Sequence, residues 1–488
     1  MAETGVNSNK YPKSIYYIIA NEGAERFSFY GMRSILATFL VAHFFNPSLN
    51  PALQSVAEAK ANEATHFFVS LAYALPFLGG LMADWFFGKY KVIFYISLVY
   101  CAGHLCLALF EDKLEVFQYG LLLIAIGAGG IKSCVTANLG DQFTAANRHL
   151  LSKVYSWFYF SINAGSVLST VMIPLIYANY GPKWAFGIPG ILMALAALIF
   201  FLGRKNYVNV PPSGVNKNNF VFISVYALFN FKRKKKGSHL LDVAKEKFDA
   251  VKVEDVKTVY NVLAVFSFIP IFWALWDQNL SEWVLQATKL DLNVLGFKFL
   301  PEQIQTANAL FLLLFIPLFN YLLYPFLDKR GIKTTPLRRI GAGLVLTALA
   351  FVVIALLQVE VDAGGHPSAL WQLLAYAILA AAEVLVSITG LEYAYTQASK
   401  SMKSTLVAIW LLTTALGNLF TALVNKSISN GGFFAQFKGA NYYWFFIGLL
   451  CFFILVYMLV SPHISERKDS ADIQLLPEDS IPVYDLIE

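Results

Sequence analysis

Apolar stretches of about 20 residues, the length that crosses a roughly 30 Å hydrocarbon layer as a helix, recur along the whole of this 488-residue chain. They predict twelve spans, near 15–43, 63–87, 92–110, 115–139, 150–180, 184–203, 258–281, 305–327, 337–359, 369–396, 404–425 and 441–461. The longest break between them, 204–257, divides the spans six and six. The pattern predicts an all-α integral membrane protein of twelve transmembrane helices. One six-helix bundle covers 1–203, a cytoplasmic linker 204–257, a second six-helix bundle 258–462 and a cytoplasmic tail 463–488.

Composition agrees with a chain solvated by lipid. It is 57% hydrophobic and only 14% charged, where soluble proteins are about a quarter charged. Soluble, disordered, collagenous and disulfide-rich secreted classes are thereby excluded. Cys101, Cys106, Cys134 and Cys451 fall inside apolar runs without metal or redox spacing, so no metal site is expected. The net charge of +6 points to topology rather than to nucleic acid. Of 37 Lys and Arg residues, 27 lie in loops on the side of the two termini, which predicts both termini in the cytoplasm of a multi-pass cell membrane protein. The first apolar run carries Glu22, Glu25, Arg26 and Arg33 and has no small-residue cleavage pattern, so it reads as a retained span. Within the linker, the apolar stretch 218–230 is too short to cross a bilayer and precedes the basic run Lys232 to Lys236. A segment on the anionic leaflet and a solvated linker both fit that pattern.

Charges inside spans cost about 2.5–3.5 kcal/mol each on insertion scales, so their placement carries information. At 3.6 residues per turn, Glu22, Glu25, Arg26, Arg33 and Tyr30 share one face of the first helix. With about 1.5 Å of rise per residue, Glu22 lies about 10 Å and Arg33 about 27 Å above the cytoplasmic end. Lys132 falls level with the glutamates, Asp277 level with Arg33, and Glu383 near the midplane, while His66 starts the second span at the external mouth. Opposite charges matched at two depths fit a cavity with two gates.

The loop Gly80-Leu-Met-Ala-Asp84-Trp-Phe-Phe-Gly88-Lys89 resembles the G-x-x-x-D-x-x-G-[RK] loop of the major facilitator superfamily, and Asp328-Lys329-Arg330-Gly331 is similar to a weaker remnant of it. Glu22-Gly-Ala-Glu25-Arg26-Phe27-Ser28-Phe29-Tyr30 resembles the E-x-x-E-R-F-x-Y-Y signature of proton-coupled oligopeptide transporters. So do Gly127 to Phe143, Phe158 to Ser166, Phe272 to Gln278, Pro301 to Ala309, Glu383 to Tyr395 and Met402 to Asn418. The resemblance covers all twelve spans and implies the major facilitator fold, with proton-coupled symport of di- and tripeptides into the cytoplasm by alternating access. It implies that Arg33 and Lys132 attract the peptide carboxylate and Glu383 the ammonium. Asn163 and Asn308 match positions that bind backbone or amine, and Tyr30, Tyr73, Trp273, Ser387 and Trp410 would line side-chain pockets. Glu22, Glu25, Arg26, His66 and Asp277 would carry proton coupling.

Three features depart from the family pattern. The linker is too polar for the two extra helices of many bacterial members. The loop near 360–368 is too short for the large extracellular domain of animal members. Phe29 stands where a Tyr is usual and removes a hydroxyl from the cavity.

The expected partners are peptides, protons and lipid, with no cofactor, no nucleic acid and no obligatory protein partner. A carrier of nitrate or another small solute is the nearest rival, against which a midplane carboxylate argues. An enzyme is not expected, because H-E-x-x-H and G-x-S-x-G are absent. Gly88-Lys89-Tyr90 lacks the Ser/Thr of a P-loop.

Overall fold

A computed structural model describes residues 10–46, 53–144, 147–215, 218–294, 296–397, 399 and 402–464. The expected tail lies almost wholly outside the described residues. In the first half stand α1 (Ser14–Phe39), α2 (Gln54–Met82), α3 (Lys89–Leu109), α4 (Leu114–Gly140), α5 (Leu151–Tyr180) and α6 (Pro182–Leu202). The linker contributes α7 (Phe220–Phe229). The second half holds α8 (Ala250–Phe266), α9 (Ile269–Trp276), α10 (Glu282–Ala287), α11 (Thr306–Leu318), α12 (Tyr324–Lys329), α13 (Pro336–Asp362), α14 (Leu370–Glu383), α15 (Thr389–Gln397), α16 (Lys403–Ser429) and α17 (Ala440–Val460). A two-stranded hairpin, β1 (Asn293–Val294) with β2 (Phe297–Lys298), follows α10.

Among the described residues, ten helical segments are long and apolar enough to cross a membrane, and α8 with the α9–α10 segment adds an eleventh, bent by 46°. The first helix has 26 residues, about 39 Å, so its length suffices. Its ionisable residues Glu22, Glu25, Arg26 and Arg33 lower its apolarity instead. Buried apolar side chains form two main cores. One gathers residues of α1 to α6 with Leu285 and Ala415, the other residues of the linker and the second half with Ala59. The two halves meet where α2 lies along α16 and α5 meets α11.

Several boundaries differ from the sequence expectation, each for a local reason. The second helix begins at Gln54, not near residue 63. Its first two turns carry Glu58 and Lys60, which no apolar window accepts, yet Ala59 there packs into the core of the other half. The seventh span is broken rather than continuous. The eighth and tenth each widen into one π turn, at Phe319–Leu323 and Val384–Ile388, and the former follows Pro317, whose missing N–H disturbs the ladder. The apolar linker stretch folds as α7. It buries Ile223, Ser224 and Ala227 against the linker turn Leu240–Glu246 and α8, and leaves Val221, Val225, Leu228 and Phe229 exposed.

Candidate functional site

The first helix places its charges because α5 approaches it closely. A Cβ at Gly165 would lie 2.6 Å from the Gly23 carbonyl oxygen, so only glycine lets α5 seat against the turn that carries Glu22, Glu25 and Arg26. Arg26 Nε donates to Glu22 Oε1 at 2.7 Å, one helical turn away, and stands 3.4 Å from Glu25 Oε2. All three are buried, and neither Glu25 oxygen has a hydrogen-bond partner among the described residues. Lys132, on α4, forms no ion pair there. Its Nζ lies 4.1 Å from the centroid of Phe29 and 4.6 Å from that of Tyr73, with no hydrogen-bond partner among the described residues. Two aromatic faces hold this cation by their quadrupoles. The expected low pairing between Lys132 and the glutamates is therefore a neighbourhood rather than a direct contact. It also lies wholly within the first half, so it does not itself join the halves.

The upper set does join them. Arg33 Nη2 on α1 pairs with Asp277 Oδ1 at the end of α9, with both side chains buried. Asn418 Nδ2 donates to Asp277 Oδ2 at 2.6 Å, and Asn418 Oδ1 faces His66 Nδ1 at 2.8 Å. His66 Nε2 lies 2.9 Å from Ser281 Oγ. Because the Asn418 amide gives its N–H to the carboxylate, its oxygen only accepts, so His66 Nδ1 carries a proton. Nε2 then either accepts from Ser281 or donates to it, and the ring's charge decides which. This chain exists because α16 touches α9 at Gly417, where a Cβ would collide with the Pro270 carbonyl oxygen. His66 is fully buried, twelve residues into α2, and not at an open mouth as expected. The early start of α2 explains the difference.

Further polar contacts seal the same end of the seam. Asn62 Nδ2 donates to Glu282 Oε2, Lys289 Nζ meets Glu58 Oε1 at 2.6 Å, Ser70 Oγ donates to the Ala415 carbonyl at 2.8 Å, and Gln305 Nε2 reaches the Ser34 carbonyl at 3.2 Å. Thr306 and Thr170 hydroxyls stand 3.0 Å apart. This is the outer end if the termini are cytoplasmic.

Below the seal, between the halves, lies a cleft whose empty space, open solvent included, is about 700 Å³. Tyr30, Tyr73, Trp273, Asn308, Glu383 and Trp410 line it, as expected of them. Trp276, Ser166, Thr170, Gln305, Thr306 and Thr414 also line it and were not singled out from the sequence. Glu383 Oε2 accepts from Asn308 Nδ2 and from Trp276 Nε1, each at 3.0 Å, which fixes a carboxylate on the wall. Four expected residues stand off this wall. Arg33 is engaged with Asp277, and Lys132 is covered by Phe29 and Tyr73. Asn163 donates to the Tyr159 carbonyl of its own helix at 3.0 Å. Ser387 is fully buried in the π turn.

Trp276 was legible in principle, since it follows Trp273 by three residues and shares its face. Asn418 and Ser281 gave no comparable signal, because uncharged residues in apolar helices look alike until their partners are known.

Two helical halves around a polar, aromatic cavity, sealed at one end by buried charges, make this a polytopic membrane protein of the major facilitator type. The POT family pattern matches residues 90–445. Peptide transporter family 1 of Drosophila melanogaster is 40% identical over 377 residues, covering 73% of this chain and 49% of that protein. Human solute carrier family 15 member 1 is 37% identical over 385 residues, 72% of this chain and 52% of that one. Among solved structures, the POT family transporter PepTSo superposes with a TM-score of 0.84 at 36% identity, covering 93% of this chain and 99% of that one. An auto-inhibited POT family peptide transporter gives 0.84 at 35%, with 94% and 98% covered. This chain belongs to the POT family. It spans about half the length of the curated relatives it matches.

Proposed function

We propose that this protein carries di- and tripeptides into the cytoplasm by proton-coupled symport, alternating between outward-open and inward-open forms in the cell membrane with both termini cytoplasmic. The observation that carries the reading is Glu383, a carboxylate fixed by Asn308 and Trp276 on a cavity wall otherwise rich in aromatic rings. A carboxylate held there suits a peptide ammonium and repels nitrate, while Trp and Tyr faces accept varied side chains without directional bonds. The names of the relatives as peptide transporters support the same substrate class. Arg33 and Lys132 are the basic groups for the peptide carboxylate. In the form seen here Arg33 closes the outer seam, and Lys132 waits behind Tyr73.

The coupling follows from exchange of partners. A proton on Asp277 or His66 weakens the hold on Arg33 and opens the outer seam. A proton on Glu25 or Glu22 frees Arg26 and lets Lys132 turn toward the substrate. At about 150 mV and one pH unit, one proton supplies roughly 5 kcal/mol, enough for more than three decades of accumulation.

The test is uptake of labelled dipeptide into proteoliposomes with and without an imposed inward proton gradient, beside labelled nitrate. Gradient-dependent accumulation of dipeptide alone is expected. Accumulation of nitrate and none of dipeptide overturns the reading.

A further inference from the structure

One carboxylate at the outer seam takes no part in the scheme above. Glu282 opens α10, next to the Ser281 that meets His66, and its Oε2 accepts a hydrogen bond from Asn62 Nδ2 on α2 of the other half. The Tyr443 hydroxyl of α17 stands 3.5 Å from its Oε1. Around it face Glu58 from α2, Lys289 from just beyond α10, and Tyr442 and Tyr443 from α17. The ammonium of Lys289 is taken by Glu58 at 2.6 Å, and Gln54 also donates to that same Glu58 oxygen at 2.7 Å. Two carboxylates therefore share one cation in a partly buried seam, and the surplus negative charge falls on Glu282. Asn62 is 1% exposed, and its Oδ1 has no hydrogen-bond partner among the described residues.

Both deficits have the same remedy. A protonated Glu282 is neutral, and its O–H is the donor that the Asn62 oxygen lacks. Acid and amide then make two bonds across the seam instead of one. An ionised Glu282 leaves the surplus charge in a partly buried seam and the buried amide oxygen unpaired. Separation of α2 from α10 brings water to the carboxyl and removes the preference for the neutral form.

We infer that Glu282 is a proton-binding site of the outer gate, distinct from the His66 and Asp277 chain, which latches Asn62 of one half to the other when it takes a proton from the external medium. The proton returns to the same medium when the seam reopens. Glu282 thus sets how often the cavity faces outward and adds nothing to the proton count of transport. Through Glu282 alone, acid outside favours the closed gate and alkali the open one, in opposition to the opening that a proton on Asp277 or His66 produces. The inference rests on alternating access, as proposed above, but not on the identity of the cargo.

Spin labels at Lys60→Cys and Lys438→Cys, exposed residues at the outer ends of opposite halves, report the seam in liposomes without any substrate. The background has Cys101, Cys106, Cys134 and Cys451 replaced. In the parent, one component of the fraction of long label separations rises with external pH, beside the opposite component that His66 and Asp277 contribute. Glu282→Gln keeps a donor and an acceptor for Asn62 at every pH, so the seam stays closed and this component of the response is lost. Asn62→Leu removes the amide that the acid latches, so this component of the response is lost there too, an independent check should the Gln variant express poorly. A parent-like pH response in Glu282→Gln, or in Asn62→Leu, overturns the inference. Because the measurement needs no peptide, its failure is separable from failure of peptide uptake in the parent protein.

Discussion

The two charged clusters of α1 each set an arginine against carboxylates and are satisfied to different degrees. At the outer end, Arg33, Asp277, Asn418, His66 and Ser281 form an unbroken chain that crosses from one half to the other. At the inner end, Glu22, Glu25, Arg26 and Lys132 stay within one half, with both Glu25 oxygens and the Lys132 ammonium lacking hydrogen-bond partners among the described residues. A continuous network between bodies fixes their relation, although Arg33 Nε has no hydrogen-bond partner among the described residues. An incomplete one within a body is ready to take a proton or a ligand. In the proposed cycle, the difference suits gating by the first and exchange by the second.

The largest effect is expected where the continuous network is broken. Asp277→Ala leaves Arg33 buried without its counter-charge, and removing one partner of a buried pair costs about 3–5 kcal/mol. The closed form bears that loss, so thiol labelling of the outer vestibule should rise by two decades or more. Unchanged labelling at normal expression would remove Asp277 from the gate. Between the clusters, Glu383→Gln takes away the charge that meets the peptide amine, which is worth about 1.5–3 kcal/mol in a charge-assisted bond. Dipeptide binding should weaken about tenfold to a hundredfold. N-acetylation of the dipeptide, which is damaging in the parent, should then add little. Equal losses in both proteins place the amine elsewhere.

Lys132→Met probes the incomplete cluster in the opposite sense. It removes a buried cation without a hydrogen-bond partner and leaves a side chain of similar length against Phe29 and Tyr73. Thermal stability in detergent should stay within about 1 kcal/mol of the parent while driven uptake disappears, in contrast to the destabilised Asp277→Ala. A large loss of stability would mean that Lys132 is structural.

The smallest effect belongs to an exposed cluster. In the linker, Lys257 and Lys245 hydrogen-bond Asp242 Oδ1 at 2.7 and 2.9 Å and hold its carboxyl well below the usual range. A depressed carboxyl stabilises the fold above its unfolded pKa and loses that contribution as pH falls through its folded one. Water screens this site, so Asp242→Asn should raise linker proteolysis only slightly at neutral pH and not at all in strong acid.

Much of this was legible in the sequence, and the gaps have physical causes. Apolar length located the spans, and helical periodicity put Glu22, Glu25, Arg26 and Arg33 on one face. Depth matching paired Arg33 with Asp277 across 244 positions. The same arithmetic set Lys132 beside the glutamates but did not foresee that Phe29 and Tyr73 would cover it, since cation–π contact depends on rotamer and helix rotation. The polar start of α2 escaped a rule that looks for apolar windows, and with it went the burial of His66. Asn418, Ser281, Asn62 and Glu282 become visible only when two helices distant in sequence are brought together.

The central claim is that the inner cluster exchanges protons while the outer one gates. It is tested most directly by measuring, in one proteoliposome preparation, dipeptide counterflow and dipeptide accumulation driven by an imposed membrane potential. The account predicts that Glu25→Gln, fixed in the neutral form, retains counterflow near the parent rate and loses potential-driven accumulation. Accumulation at the parent level in Glu25→Gln and in Glu22→Gln alike would contradict it and move the coupling proton to the outer cluster.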